Sequence, residues 1–302
     1  MTLPPYLKPG DTIALTCPAG YMPAEKAAVC IQTLQQWGYN VEIGATIGGE
    51  SKNYFSATDD ERLEELQRFL DNPNIRAILC GRGGYGLSRI IDRIDFKPFR
   101  HHPKWVIGFS DITVLHSHIW ANYKIATLHA PMAGAFNDGG ADSDYVQSLR
   151  RALAGEPSAY TSPAHPFFKR GKASGRLVGG NLSLLAHLVG TSSDIKTKGK
   201  ILFLEDVGEY LYNVDRMLHQ LKRSRKFEDL AGLIIGGFTD LKDTTRPFGA
   251  TVEEIIRDAV DEYDYPVCFG FPVSHGSENF ALKIGVKHTL DVNTEAFTLI
   301  EE

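Results

Sequence analysis

Cysteine is scarce in this chain: Cys17, Cys30, Cys80 and Cys268 are the only four. None stands in C-x-x-C spacing, which argues against a disulfide framework or a zinc knuckle and points to buried thiols in a reducing compartment. A surplus of basic charge is missing too. With 32 Lys and Arg against 37 Asp and Glu, the net charge is -5, so neither nucleic acid nor a membrane surface is expected as a partner. No apolar run approaches the length of a membrane span. The opening residues, Met1 to Gly10, lack the basic-then-apolar layout of a signal peptide. These absences describe a cytoplasmic protein. H-E-x-x-H is absent as well. His116 and His118 lie two apart on an expected helix and point in different directions, while His101 and His102 lack an acidic or cysteine partner at ligand spacing, so no metal is expected.

What is present is an ordinary globular composition, 43% hydrophobic and 23% charged over 302 residues, enough for two modest domains or one large one. Strands are expected at 11–16, 40–43 and 75–80, around Val106 and Ile107, and at 125–128. Helices are expected at 24–37, from the capping box Thr58-Asp59-Asp60-Glu61 with Leu63, Leu66 and Leu70 inward, and around Val146, Leu149 and Leu153. Such alternation predicts a parallel sheet with helices on both faces. Residues 1–156 read as one α/β domain and 157–172, rich in Pro, as a linker. Residues 173–302 read as a second domain, mixing helices with strands that need not be parallel. In it, Gly179-Gly180-Asn181 leads into a short helix, and Lys200–Glu205 is an apolar strand ending on an acid.

Four features carry chemistry. Lys104 to Thr113 runs from an apolar strand into a helix, with Ser110 at the junction and Ile112, Leu115 and Ile119 at helical spacing. A serine on a sharp strand-to-helix turn is exposed as a nucleophile, and the amide of Asp111 would then face an oxyanion. Alternatively Ser110 or Asp111 simply caps the helix. The match to G-x-S-x-G is partial, because position 112 is Ile. Gly81-Arg82-Gly83-Gly84-Tyr85-Gly86 satisfies G-x-G-x-x-G, but it follows the third strand, and Asp92 and Asp95 come too soon for a ribose-binding acid. Its other use is to bring backbone amides close to a reacting carbonyl. Glu205 at a strand end and His275 in a Gly-flanked loop share the carboxyl-edge address of Ser110, where open α/β sheets place their sites. Their residue types suit attack, proton transfer and orientation of the imidazole. Taken singly, each is equally a surface strand terminus or a loop residue.

Taken together and in order, these residues resemble the LD-carboxypeptidases, serine peptidases that include muramoyltetrapeptide carboxypeptidase and the microcin C immunity peptidase. The resemblance begins at Leu7-Lys8-Pro9-Gly10-Asp11-Thr12-Ile13-Ala14 and runs through Pro18-Ala19-Gly20, Thr58 to Leu63 and Gly81 to Gly86. It is strongest at Gly108-Phe109-Ser110-Asp111, Gly179-Gly180-Asn181-Leu182-Ser183, Phe203-Leu204-Glu205-Asp206 and Ser274-His275-Gly276. It implies a Ser110–His275–Glu205 triad with an oxyanion hole from the amides of Asp111 and Gly84. Gly83 and Asn181 are implied to line the substrate, although Asn181 equally suits a helix cap. It also implies a flavodoxin-like N-terminal domain bearing Ser110, a C-terminal domain with a small β-barrel bearing Glu205 and His275, and a homodimer. No cofactor is implied. Ala130 departs from the family, which usually has Gly there. The activity implied is release of terminal D-alanine from murein tetrapeptide. The alternatives are hydrolysis of peptidyl or aminoacyl nucleotides, an NAD(P)-binding oxidoreductase using the glycine loop, and a non-catalytic binding module.

Overall fold

The computed structural model describes residues 1–49 and 53–302. Its strands are, in chain order, β1 (Thr12–Thr16), β2 (Asn40–Ile43), β3 (Ile75–Cys80), β4 (Trp105–Gly108), β5 (Thr127–His129), β6 (Ala159–Pro163), β7 (Gly171–Asn181), β8 (Lys200–Val207), β9 (Gly232–Thr239), β10 (Val267–Phe269), β11 (Leu282–Ile284), β12 (Lys287–Val292) and β13 (Ala296–Glu301). They form two sheets in two compact units. The first unit is Met1–Glu156 with Phe280–Lys283, and the second is Pro157–Asn279 with Ile284–Glu302.

The first sheet has the order β11-β5-β4-β3-β1-β2. Its β2-β1-β3-β4-β5 core is parallel and has the flavodoxin-like order, with the switch point between β1 and β3. The alternating sequence pattern is thus realised. Local choices agree with it: Thr58 and Glu61 close their capping box, Ser143 caps Asp144–Ala154, and Gly155 ends that helix at φ +88°. Three helices differ from expectation. The 24–37 segment opens as a 3-10 turn, Ala24–Ala27, before Ala28–Gln36. In Thr113–Tyr123, every residue from Thr113 to Trp120 is buried, not only an apolar stripe. The helix Asp59–Asp71 buries Leu66, Phe69 and Leu70 together with Arg62 and Glu65, while Leu63 is half-exposed.

In the second unit β7, β8, β9 and β10 are parallel neighbours, and β7, β12, β13 and β6 continue the sheet antiparallel. The expected barrel takes the form of a curled mixed sheet. The segment after β6 reaches the opposite edge through an antiparallel bridge from Lys169 to Val267 of β10, with N–H···O distances of 2.8 and 3.0 Å. Among the described residues the strand pairings do not close further. The 157–172 stretch, expected as a linker, carries β6, which pairs along β13. Pro163 is tolerated there because β6 is the last strand of the sheet, where a missing N–H leaves no partner unmet. The lead-in to Asn181 is an eleven-residue strand, and a capping box at Thr251 and Glu254 starts Val252–Val260. All four cysteines are buried free thiols. Among the described residues no helix is long and apolar enough to cross a membrane.

Candidate active site

β4 delivers Ser110. Trp105, Val106 and Ile107 are fully buried, Phe109 is extended, and Ser110 itself has φ +63°. A positive φ at a non-glycine residue between a strand and a helix is a strained elbow. The capping alternative fails here. Phe109 occupies the cap position, no side chain caps the turn Ser110–Ile112 or the helix after it, and the Asp111 carboxylate turns elsewhere to accept the Leu87 N–H at 2.8 Å. Burial pushes the Asp111 carboxyl up to about 6, against the lowering effects of that N–H and the Arg62 charge.

The turn is anchored from below. The Gly108 carbonyl accepts the Ala130 N–H at 3.3 Å and meets His116 Nε2 at 2.8 Å. A carbonyl only accepts, so His116 carries its proton on Nε2. Burial drives its pKa down to about 4, which keeps it neutral. Ala130 is fully buried and acts here through its amide. His118 stacks on Phe96, 5.0 Å between ring centres.

The glycine loop lies directly against the serine. A Cβ at Gly83 would sit 2.7 Å from Ser110 Cβ, 2.9 Å from Oγ and 3.2 Å from the Asp111 nitrogen. No side chain fits there, which is the reason for glycine. The Gly83 carbonyl accepts the Gly20 N–H at 2.9 Å, joining the loop to the turn after β1 across the switch point. Gly84 follows with φ +93°. Arg62, fully buried, donates to the carbonyls of Pro18 at 2.6 Å and Gly86 at 3.3 Å and pairs with Asp59. This loop continues into a three-residue 3-10 turn, Leu87–Arg89. It offers no long helix whose N-terminus would hold a pyrophosphate, and the dinucleotide reading loses its physical basis.

In the second unit, β8 delivers Glu205 and the loop after β10 delivers His275. Glu205 is fully buried, and its Oε2 lies 2.6 Å from His275 Nδ1. Burial disfavours the imidazolium, yet the hydrogen bond and charge of Glu205, aided by the charge of Asp206, outweigh it. The His275 pKa therefore lies above its ordinary 6.5. A bulge makes room for the pair. Leu204 faces Ile235 and Asp206 faces Phe238, so Gly236 and Gly237 together oppose the single residue Glu205, a register slip typical of sites where a side chain is re-aimed. A Cβ on Gly236 would fall 2.2 Å from the Val273 carbonyl, and one on Gly237 2.5 Å from Ser274 Cβ. Ser274 Oγ then pins the loop, donating to the Glu278 carbonyl at 2.9 Å and accepting the Gly276 N–H at 3.0 Å.

Asn181 stands beside Glu205 in the β7–β8 register. It is buried, caps the helix Leu182–Leu188 through the Leu184 N–H at 3.1 Å, and donates to Asp206 at 2.9 Å. The helix-cap role is the one its contacts show. Asp206 also accepts the N–H groups of Ser183 and Val207, and burial raises its carboxyl to about 6. Sequence reasoning passed over Asp206, Ser274, Gly236 and Gly237. Only the acidic doublet Glu205-Asp206 and the serine before His275 signalled any of them. Among the described residues no cluster of His, Cys, Asp and Glu could hold a metal ion.

Models of the LD-carboxypeptidase N-terminal and C-terminal domains match residues 13–130 and 174–290. The chain belongs to the LD-carboxypeptidase family. A probable murein peptide carboxypeptidase from Bacillus subtilis is 35% identical over 99% of this chain and 94% of its own length. The structure of a muramoyltetrapeptide carboxypeptidase from Oxalobacter formigenes superposes with a TM-score of 0.87 at 26% identity, covering 96% of this chain and 98% of that one. The microcin C7 self-immunity protein MccF of Escherichia coli is 26% identical over 97% of this chain and 94% of its own length. Both halves of this peptidase family are therefore present in one chain, each with its share of the residues described above.

Two outcomes are expected from this geometry. Because the raised His275 pKa keeps the imidazole protonated to higher pH, the acid limb of kcat/KM falls above pH 6.5. Glu205→Gln leaves burial less opposed, so the limb moves to lower pH while the plateau drops by about a thousandfold or more. A limb that stays in place in the pH–rate profile refutes the coupling. Gly83→Ala, which forces a methyl into Ser110, is expected to lower kcat/KM by at least about a hundredfold; steady-state rates near wild type would show that the close approach is without consequence.

Proposed function

We propose that the protein is a serine carboxypeptidase that hydrolyses an L,D-peptide bond and releases the terminal D-alanine of murein tetrapeptide, a step in peptidoglycan recycling. The observation that carries this reading is the buried Glu205–His275 pair at 2.6 Å, which gives a family peptidase an oriented base. Support also comes from the strained Ser110 elbow and from the murein-directed names of relatives.

In this reading Ser110 Oγ attacks the carbonyl preceding D-alanine while His275 Nε2 takes its proton. Glu205 holds the Nδ1–H and steadies the imidazolium. The amides of Asp111 and Gly84 receive the oxyanion. Collapse breaks the C–N bond, His275 returns its proton to the departing amine, and an acyl-Ser110 ester remains. Water, deprotonated by His275, then hydrolyses the ester. The substrate is thus a murein peptide, and no cofactor enters the reaction as proposed. Gly83 shapes the floor under the reacting serine, and Asn181 is assigned to positioning Asp206 and the helix start. The proposal includes a cytoplasmic location and a homodimer; export of the protein, or sedimentation as a single chain at micromolar concentration, would refute these.

A second reading, hydrolysis of peptidyl or aminoacyl nucleotides, is favoured by the similarity to the self-immunity protein over nearly all of both chains. Mass spectrometry of products separates the two. The expected result is loss of one alanine from murein tetrapeptide with wild type and none with Ser110→Ala. No release by wild type, with cleavage of an aminoacyl sulfamoyl adenosine instead, would replace the first reading by the second.

A further inference from the structure

The loop from Gly81 to Gly86 carries a charged side chain that the reaction as proposed leaves unused, Arg82. It precedes Gly83, whose Cβ would meet Ser110 Oγ at 2.9 Å. One Cα step then puts the Arg82 Cα no more than about 8 Å from the attacking hydroxyl. The guanidinium lies at the turn after β1. Its Nη1 donates to the Tyr21 carbonyl at 2.6 Å, and its Nε is 3.6 Å from where a Gly20 Cβ would stand. That same Cβ would fall 2.9 Å from the Gly83 carbonyl. Any side chain at position 20 would therefore fill the space between the guanidinium and the loop, and glycine leaves it open. Tyr54 stands on the other flank of this recess. Its hydroxyl is 2.8 Å from the place a Gly84 Cβ would take, a point 3.6 Å from the Gly20 Cα.

Two neighbouring arginines are already committed. Arg62 is fully buried against the Pro18 and Gly86 carbonyls and Asp59, and Arg89 Nε reaches both oxygens of the same Asp59 carboxylate at 2.9 Å. Arg82 is exposed, and among the described residues it makes no ion pair. A guanidinium has five N–H donors in a rigid fork, so the bond to Tyr21 fixes its position and leaves donors for a ligand. The geometry of a leaving residue says which ligand. In a bond to a C-terminal residue the carboxylate carbon is three bonds from the scissile carbonyl carbon, at most about 4 Å away. With that carbonyl about 3–3.5 Å from the attacking oxygen, the carboxylate lies within roughly 7.5 Å of Ser110 Oγ. Arg82 is rooted at that distance.

We propose that Arg82 is a specificity residue that holds the main-chain carboxylate of the residue to be released, with the Tyr54 hydroxyl on the far side of the recess. An Arg–carboxylate pair is strong and directional. It confines cleavage to the last bond of a chain, because an internal residue has no carboxylate to offer there. This inference rests on the carboxypeptidase reading, and its test is made without turnover. The full-length Ser110→Ala protein is titrated calorimetrically with murein tetrapeptide and with the same peptide ending in D-alaninamide. The titrations are repeated after Arg82→Gln is added, a change that removes the charge and keeps an N–H for the Tyr21 carbonyl.

The expected result is at least about tenfold tighter binding of the free acid than of the amide by Ser110→Ala. Arg82→Gln is expected to abolish that preference by weakening the acid alone, with the amide bound as before. Equal binding of the two peptides by Ser110→Ala, or binding of neither, overturns the inference, as does a preference that survives Arg82→Gln. Equal loss of both peptides in the Arg82→Gln variant also overturns it, since Arg82 would then act only by holding the Tyr21 turn. The carboxypeptidase reading fails separately: wild type that releases no alanine, with the Arg82-dependent preference intact, strikes the reaction and leaves the carboxylate site standing. Release of alanine with equal binding of acid and amide does the reverse.

Discussion

Ser110 occupies a backbone conformation that L-residues avoid, and much of the first unit serves to hold it there. The strain costs about 1–3 kcal/mol. It is offset by the burial on either side, where Trp105, Val106 and Ile107 precede the turn and Ile112, Leu115 and Ile119 follow it, each worth about 1.5–3 kcal/mol. The junction has little freedom to relax. A neutral His116 and the Ala130 amide hold the Gly108 carbonyl, the Asp111 carboxylate holds Leu87, and Gly83 leaves no gap above. A serine in such a turn is fixed by its surroundings, so its hydroxyl need not spend a hydrogen bond on capping.

The second unit solves a different problem, that of burying a carboxylate beside an imidazole. A fully buried charge is costly unless it is paired and hydrogen-bonded. Glu205 meets the first demand through His275, and the glycine bulge of β9 lets the histidine loop come near enough to do so. Asp206, pointing to the other face of β8 as successive strand residues must, ties β7 and the helix after Asn181 to the same edge. One acidic doublet therefore meets two demands, Glu205 pairing with the imidazole and Asp206 tying the strand edge together.

Much of this was legible in the sequence because its signals are local. The strand-to-helix junction at Ser110, the apolar run of β8 up to Glu205 (the strand itself continues to Val207), the glycine loop and the Thr58 capping box are each contained in a few residues. What escaped depends on partners far along the chain. Arg62 and Glu65 sit on a helix for which only Leu63, Leu66 and Leu70 were expected inward. Both are buried, because the carbonyls of Pro18 and Gly86 and the hydroxyls of Thr16 and Thr46 await them. Glu205 and His275 are 70 residues apart, so their pairing was a matter of shared address until tertiary structure joined them. Composition misled twice. Four glycines disguised β7, and prolines disguised β6, whose place at the edge of the sheet makes proline harmless.

The outermost strand of the first sheet, β11, comes from Leu282–Ile284, far beyond the residues that build its neighbours. During synthesis the chain therefore exposes the outer edge of β5 through the whole emergence of β6 to β10. A bare strand edge is a template for pairing with other chains, and here it stays open until all but the last two strands have left the ribosome. The N-terminal unit, though first to be made, is among the last to be finished. A chain released early would carry the strained serine on an incomplete sheet, so integrity of the Ser110 scaffold is tied to completion of the message.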